Sequence, residues 1–130
     1  MVAEEIRMIK RVMVVDDNPD IILAVKQGLE QYQGEYEVIG AESGKRCLHL
    51  LETVKPDLIL LDIMMPEMSG WETFDRIKGS QAWGNIPVVF LTARTDRVAR
   101  NAGGFLAEDY IEKPFEIFDL KNRIDKAIEK

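Results

Sequence analysis

Residues 58–62 read Leu58-Ile59-Leu60-Leu61-Asp62, and residues 88–92 read Val88-Val89-Phe90-Leu91-Thr92. Each stretch opens with four apolar residues in succession, which leaves no polar face for water, so both suit strands covered by helices on either side. A parallel, doubly wound α/β sheet supplies that environment. Working outward, Arg11–Val15, Tyr36–Ala41, Leu58–Leu61, Ile86–Leu91 and Asp109–Ile111 predict strands separated by helix-length segments, which makes five βα units.

The helix signals agree. Asn18 offers an N-cap, Pro19 the first helical position and Asp20 a first-turn acid, ahead of an apolar stripe at Ile21, Val25 and Leu29. Ser43 predicts a cap for a helix through Cys47, Leu48 and Leu51, and Ser69 one for a helix through Phe74 and Ile77. Ile117, Leu120, Ile124 and Ile128 line the last helix. Between Thr95 and Phe105 few apolar anchors stand beside Gly103-Gly104, each glycine costing about 1 kcal/mol against alanine, which predicts a short or mobile helix.

A chain of 130 residues with 46% hydrophobic content and no dividing Pro/Gly-rich stretch predicts one domain, with its core over about residues 10–129. The formal charge of -6 argues against direct nucleic-acid binding or an anionic membrane surface and points to protein partners. The acidic N-terminal stretch lacks a signal-peptide core and no apolar run has membrane-spanning length, so a cytoplasmic protein without membrane insertion is expected. Cys47 has no second cysteine to pair with and falls on an apolar helical stripe, where core packing is its natural role. His49 is the only histidine, which leaves no imidazole cluster for zinc or a phosphohistidine relay, and a surface helical position suits it. Packing is likewise the favoured role for Trp71 and Trp83.

In open parallel sheets function gathers at the carboxyl ends of the strands. Asp16 and Asp17 follow the first strand, Asp62 ends the third, Thr92 the fourth and Lys113 the fifth, so these residues converge on one rim. Three carboxylates in one crevice repel unless a cation offsets them, and hard oxygen donors suited to phosphate chemistry favour Mg2+. An aspartate carboxylate attacks phosphorus to give an acyl phosphate, and the transfer needs positive charge aimed at the phosphoryl oxygens, which the metal and Lys113 supply. Thr92 offers a hydroxyl for a phosphoryl oxygen. Taken singly these residues have ordinary readings as well, an Asp-Asp turn and a Lys-Pro loop among them.

Together, VVDDNP, LLDIMMPEMSG, FLTA and DYIEKPF, in this order and spacing over nearly the whole chain, resemble the receiver domain of two-component response regulators. The resemblance implies a flavodoxin-like sheet of order 2-1-3-4-5. It implies phosphorylation of Asp62 by a histidine kinase or phosphotransfer protein, and Mg2+ held by Asp16, Asp17, Asp62 and the backbone carbonyl of Met64. Lys113 corresponds to the phosphate-pairing lysine, Thr92 to the hydroxyl switch and Tyr110 to the rotating aromatic. Met64 and Arg94 correspond to the pair that tunes acyl-phosphate lifetime, where an apolar Met64 implies slow self-dephosphorylation. Phosphorylation would draw Thr92 inward, turn Tyr110 and change the face of the fourth helix, fifth strand and fifth helix that a downstream protein reads, with phosphorylation-linked homodimerisation left open. Leu106-Ala107-Glu108 departs from the family's glycine-alanine-acid run.

No output segment follows Lys130, so a stand-alone regulator or an excised receiver, rather than a transcription factor or an enzyme, is expected. The competing reading is a magnesium-dependent aspartyl-phosphate phosphatase acting on small substrates. It wants an acid two residues beyond the nucleophile, where this chain has Met64. A flavin-binding domain is disfavoured by the acidic Asp16-Asp17-Asn18-Pro19 turn, and a copper site at Met64, Met65 and Met68 by the carboxylates beside it.

Overall fold

The structure, a computed structural model, describes residues 9–93 and 107–129. Its strands are β1 (Lys10–Val15), β2 (Tyr36–Ala41), β3 (Leu58–Asp62), β4 (Val88–Thr92) and β5 (Asp109–Glu112). The described helices are α1 (Pro19–Glu30), α2 (Gly44–Leu50), α3 (Gly70–Lys78) and α4 (Ile117–Glu129), the helix that follows β5. All strand pairs are parallel and the order is β2-β1-β3-β4-β5. The short helix expected between Thr95 and Phe105 lies outside the described residues.

The central strands are covered on both faces. Leu58 and Leu60 pack with Val25 and Leu29 of α1 and Leu120 and Ile124 of α4, whereas Ile59 and Leu61 pack with Cys47 of α2 and Phe74 and Ile77 of α3. Successive side chains of a strand point to opposite faces, so an unbroken apolar run is what two cores require. Each fully buried Val, Leu, Ile or Phe contributes about 1.5–3 kcal/mol relative to exposure.

The caps form where the sequence placed them. Asn18, Ser43 and Ser69 accept the backbone N–H groups of Asp20, Arg46 and Glu72 at the starts of α1, α2 and α3. The strand at Ile86 begins two residues later than expected, at Val88, because Pro87 has no N–H to give the ladder and contributes only its carbonyl, which accepts from Ile59 at 3.0 Å. Cys47 is buried, with its thiol pushed up to about 12 by burial, and His49 is exposed. Trp71 and Trp83 both pack on the α2/α3 core.

Helix α4 is tied to the sheet from two sides. Lys10 and Lys121 donate to Asp125 at 2.9 and 3.0 Å, the Tyr36 hydroxyl donates to the same carboxylate, and Lys121 also lies over the Tyr32 ring. Toward the other side, Arg123 reaches the start of β5. None of the described helices is long and apolar enough to cross a membrane.

Candidate functional site

The sheet brings residues from four strand ends to one rim. Asp16, directly after β1, is fully buried, and its Oδ1 accepts the Asn18 N–H at 2.9 Å, which fixes the turn into α1. Asp17 beside it is exposed. Asp62, the last residue of β3, is 5% exposed and is paired in register with Leu91. Carboxylate oxygens of Asp16, Asp17 and Asp62 lie within 4.8 Å of one another. Lys113, following β5, sets its Nζ 2.8 Å from Asp16 Oδ2 and 3.3 Å from Asp62 Oδ1.

The electrostatics follow from burial and from one cation among three anions. Desolvation, then the Asp16 charge, push Asp62 up to about 6, against the opposing pull of Lys113. Burial works against the charge on Lys113, but its hydrogen bond to Asp16 and the Asp62 charge outweigh it and hold the amine above the ordinary lysine value. Among the described residues the pocket therefore holds one ammonium against three carboxylates. Three clustered oxygen donors with unbalanced charge fit a small hard dication, and Mg2+ matches both the donor type and phosphate chemistry.

Thr92 ends β4 and is 1% exposed, and among the described residues its Oγ1 has no hydrogen-bond partner. A buried hydroxyl in that condition is costly, and it leaves a donor at the end of β4 available to a further acceptor. The strand is pinned at this point because Lys113 N–H donates to the Thr92 carbonyl at 2.8 Å.

Tyr110 of β5 stacks on Phe90 of β4 at 5.4 Å between ring centroids, and Trp71 of α3 packs on the same Phe90 at 4.7 Å. No local pattern signals that Trp71 and Tyr110 share a neighbour; the register of β4 with β5 and the packing of α3 on the sheet create it.

The loop from Asp62 to α3 is shaped by backbone constraint. Met68 N–H donates to the Pro66 carbonyl across Glu67, whose φ is 67°, a left-handed conformation unusual for a residue with a side chain. Gly70 N–H donates to the Ile63 carbonyl at 2.8 Å, and a Cβ at Gly70 would lie 2.7 Å from Ile63 Cα and closer still to the Asp62 carbonyl oxygen. Met64 on this loop is 66% exposed at the rim. Arg94 lies outside the described residues.

The comparisons decide the family. The model of the response regulator receiver domain matches residues 12–125. The chain belongs to that family. As a receiver domain it is 44% identical over 87% of its length to a probable cyclic di-GMP phosphodiesterase of Vibrio cholerae, covering 25% of that protein. It is 36% identical over 93% of its length to the alkaline phosphatase synthesis transcriptional regulatory protein PhoP of Bacillus subtilis, covering 49% of it. The receiver therefore spans half or less of these relatives. Among solved structures, a putative response regulator from Chloroflexus aurantiacus superposes with a TM-score of 0.87 at 27% identity, over 95% of this chain and all of that one. Receiver domains are the phosphorylated modules of two-component signalling, and the phosphatase reading is not favoured.

Proposed function

We propose that Asp62 is the phosphoacceptor and that residues 1–130 act as a single, cytoplasmic, regulatory receiver rather than as a turnover enzyme. The observation that carries this is a buried carboxylate at the end of the central strand, facing one ammonium and two further carboxylates. An Asp62 oxygen attacks phosphorus, the P–N bond of a phosphohistidine donor or the P–O bond of acetyl phosphate breaks, and the leaving group departs with that bond's electrons. Lys113 is positioned to pair with a phosphoryl oxygen, and the Thr92 hydroxyl to donate to another.

Asp16, Asp17, Asp62 and the Met64 carbonyl would hold Mg2+, which would supply positive charge for the transferring group. Its presence would also relieve the repulsion that raises Asp62. Once Thr92 is engaged at the phosphoryl group, the space above Phe90 shared with Tyr110 changes, and a pre-existing equilibrium shifts. Met64 offers no carboxylic acid for leaving-group protonation and no amide to orient water, which supports a long-lived acyl phosphate over catalytic turnover.

The partners in this reading are a histidine kinase or phosphotransfer protein and a downstream protein. Leu23 of α1, Met64 of the β3–α3 loop and Phe118 in the first turn of α4 are 50%, 66% and 65% exposed, on segments that leave the rim around Asp62. Exposed apolar side chains on segments that begin at this rim suit contact with a protein donor that must reach the carboxylate.

Intact mass after incubation with Mg2+ and acetyl phosphate tests the proposal. One phosphoryl group is expected on the native chain, none on Asp62→Asn and none without metal. Addition to the Asp62→Asn chain at the native rate would remove Asp62 from the role.

A further inference from the structure

Arg123 of helix α4 hydrogen-bonds two consecutive residues of strand β5. Arg123 donates from Nε to Asp109 Oδ2 and from Nη2 to Asp109 Oδ1, both at 2.8 Å, and Nη2 donates again to the Tyr110 carbonyl at 3.1 Å. Asp109 Oδ1 in turn accepts the Tyr110 N–H at 2.7 Å. Strand β5 lies at the edge of the described sheet, and the hydrogen bonds of Asp109 and Arg123 reach both the N–H and the carbonyl of Tyr110. The Asp109–Arg123 fork engages both.

Tyr110 is thus held by its ring on the inside, against Phe90, and by its backbone on the outside, through Arg123. A planar guanidinium that makes three hydrogen bonds to two consecutive residues fixes direction as well as distance, which a flexible ammonium does not. Arg123 and Asp109 are only about one-third exposed, and Arg123 Nη1 has a further, looser contact with Asp119 at 3.7 Å. The position of α4 is consequently coupled to the conformation of Tyr110.

We propose that Arg123 is the positioning residue that transmits the state of Tyr110 to helix α4. The inference rests on the phosphoacceptor reading above. It assigns the route by which the change at Asp62 and Thr92 leaves the β5 edge: through a side-chain fork on the backbone of Tyr110, whose ring packs on one core, rather than through the other core, where Ile111 of β5 packs with Leu120 and Ile124 of α4. Tyr36 and Lys10 hold Asp125, two residues further along α4, and supply the pivot about which such a shift turns.

The test compares native chain, Arg123→Gln and Arg123→Lys, each with and without Mg2+ and acetyl phosphate, by intact mass and by amide hydrogen exchange resolved to β5 and α4. Equal exchange of the unphosphorylated proteins in the β-sheet core checks that the variants fold. In the native chain phosphorylation is expected to alter exchange in both β5 and α4. In Arg123→Gln the phosphoryl group should add as in the native chain and β5 should respond, while the response of α4 falls about fivefold or more. Arg123→Lys, which keeps the charge and loses the fork, should behave like the glutamine variant. A native-sized response of α4 in the phosphorylated glutamine variant overturns the role of Arg123 and leaves the phosphoacceptor reading standing. Failure of the native chain to take a phosphoryl group overturns that reading, and the coupling with it.

Discussion

Lys113 Nζ sits 2.8 Å from Asp16 Oδ2, closer than the 3.3 Å to Asp62 Oδ1, so the Lys113 ammonium is held first by the buried acid of the β1 turn. The Lys113 amine is shared between two carboxylates that would otherwise face each other unbalanced. Replacing Lys113 with Ala should slow phosphoryl addition about 10²-fold, since one preorganised cation at the transferring group is lost. The rate of acetyl-phosphate labelling with saturating Mg2+ checks this, and a rate close to native would remove Lys113 from the transfer step.

Asp62 carries a pH signature. Its folded value of about 6 lies above the ordinary carboxylate value, so the folded state binds the proton more tightly than the unfolded state. The corresponding stability is fully present below about pH 4 and is lost as pH rises through about 6. In metal-free buffer Asp62→Asn should therefore be more stable than the native chain at pH 7 by about 1–3 kcal/mol, with the gap closing toward pH 4. Urea unfolding in chelator at both pH values measures it. Added Mg2+ should narrow the gap at pH 7 by stabilising only the native chain.

Thr92 separates stability from switching. Its buried Oγ1 has no partner among the described residues, so Thr92→Val should leave the unphosphorylated fold as stable or about 1 kcal/mol more stable. The same variant should accept the phosphoryl group yet show a reduced phosphorylation-dependent change around Tyr110, followed by hydrogen exchange in β5. A destabilised Thr92→Val chain would mean that the hydroxyl is already satisfied in the resting protein.

Gly70 is a steric requirement of the loop that follows Asp62. A methyl group there meets the Asp62 carbonyl oxygen and Ile63 Cα, both backbone, so relief must come from moving the loop that carries Met64. Gly70→Ala should cost about 1–3 kcal/mol and slow labelling of Asp62, whereas Gly79→Ala, at the end of α3, should leave labelling unchanged. Thermal unfolding and labelling rate together distinguish the two.

Asp125 anchors α4 through Tyr36 and Lys10, and Lys121 on the same helix adds an i,i+4 pair. Desolvation opposes its charge, but these three donors outweigh it and hold the carboxyl below the ordinary range. Its contribution is therefore present above the ordinary carboxylate value and lost as pH falls through the lowered one. Asp125→Asn should destabilise the chain at pH 7 by about 1–2 kcal/mol, and the difference should shrink in strong acid. Unfolding curves across that range decide it.

The fold was legible in the sequence to an unusual depth because its signals are local. Four apolar residues in a row at 58–61 and at 88–91 require two covered faces, and Asn18-Pro19, Ser43 and Ser69 announce helix starts through bonds made within three residues. The carboxylates were legible too, since strand ends in such a sheet share an edge. Arg123 was not: on α4 it reads as one more charge on a polar face, and its partners Asp109 and Tyr110 are set by the docking angle of that helix.

By itself, then, the sequence determined which residues line the rim and which stripes are buried, because periodicity and capping act over a few residues. Only the tertiary structure decided that Lys113 pairs first with Asp16, that Thr92 keeps an unsatisfied hydroxyl, and that Trp71 and Tyr110 meet on Phe90. Those relationships depend on strand register and helix tilt to within about an ångström, the tolerance of a hydrogen bond. No local pattern encodes them; they emerge from close packing of the two cores.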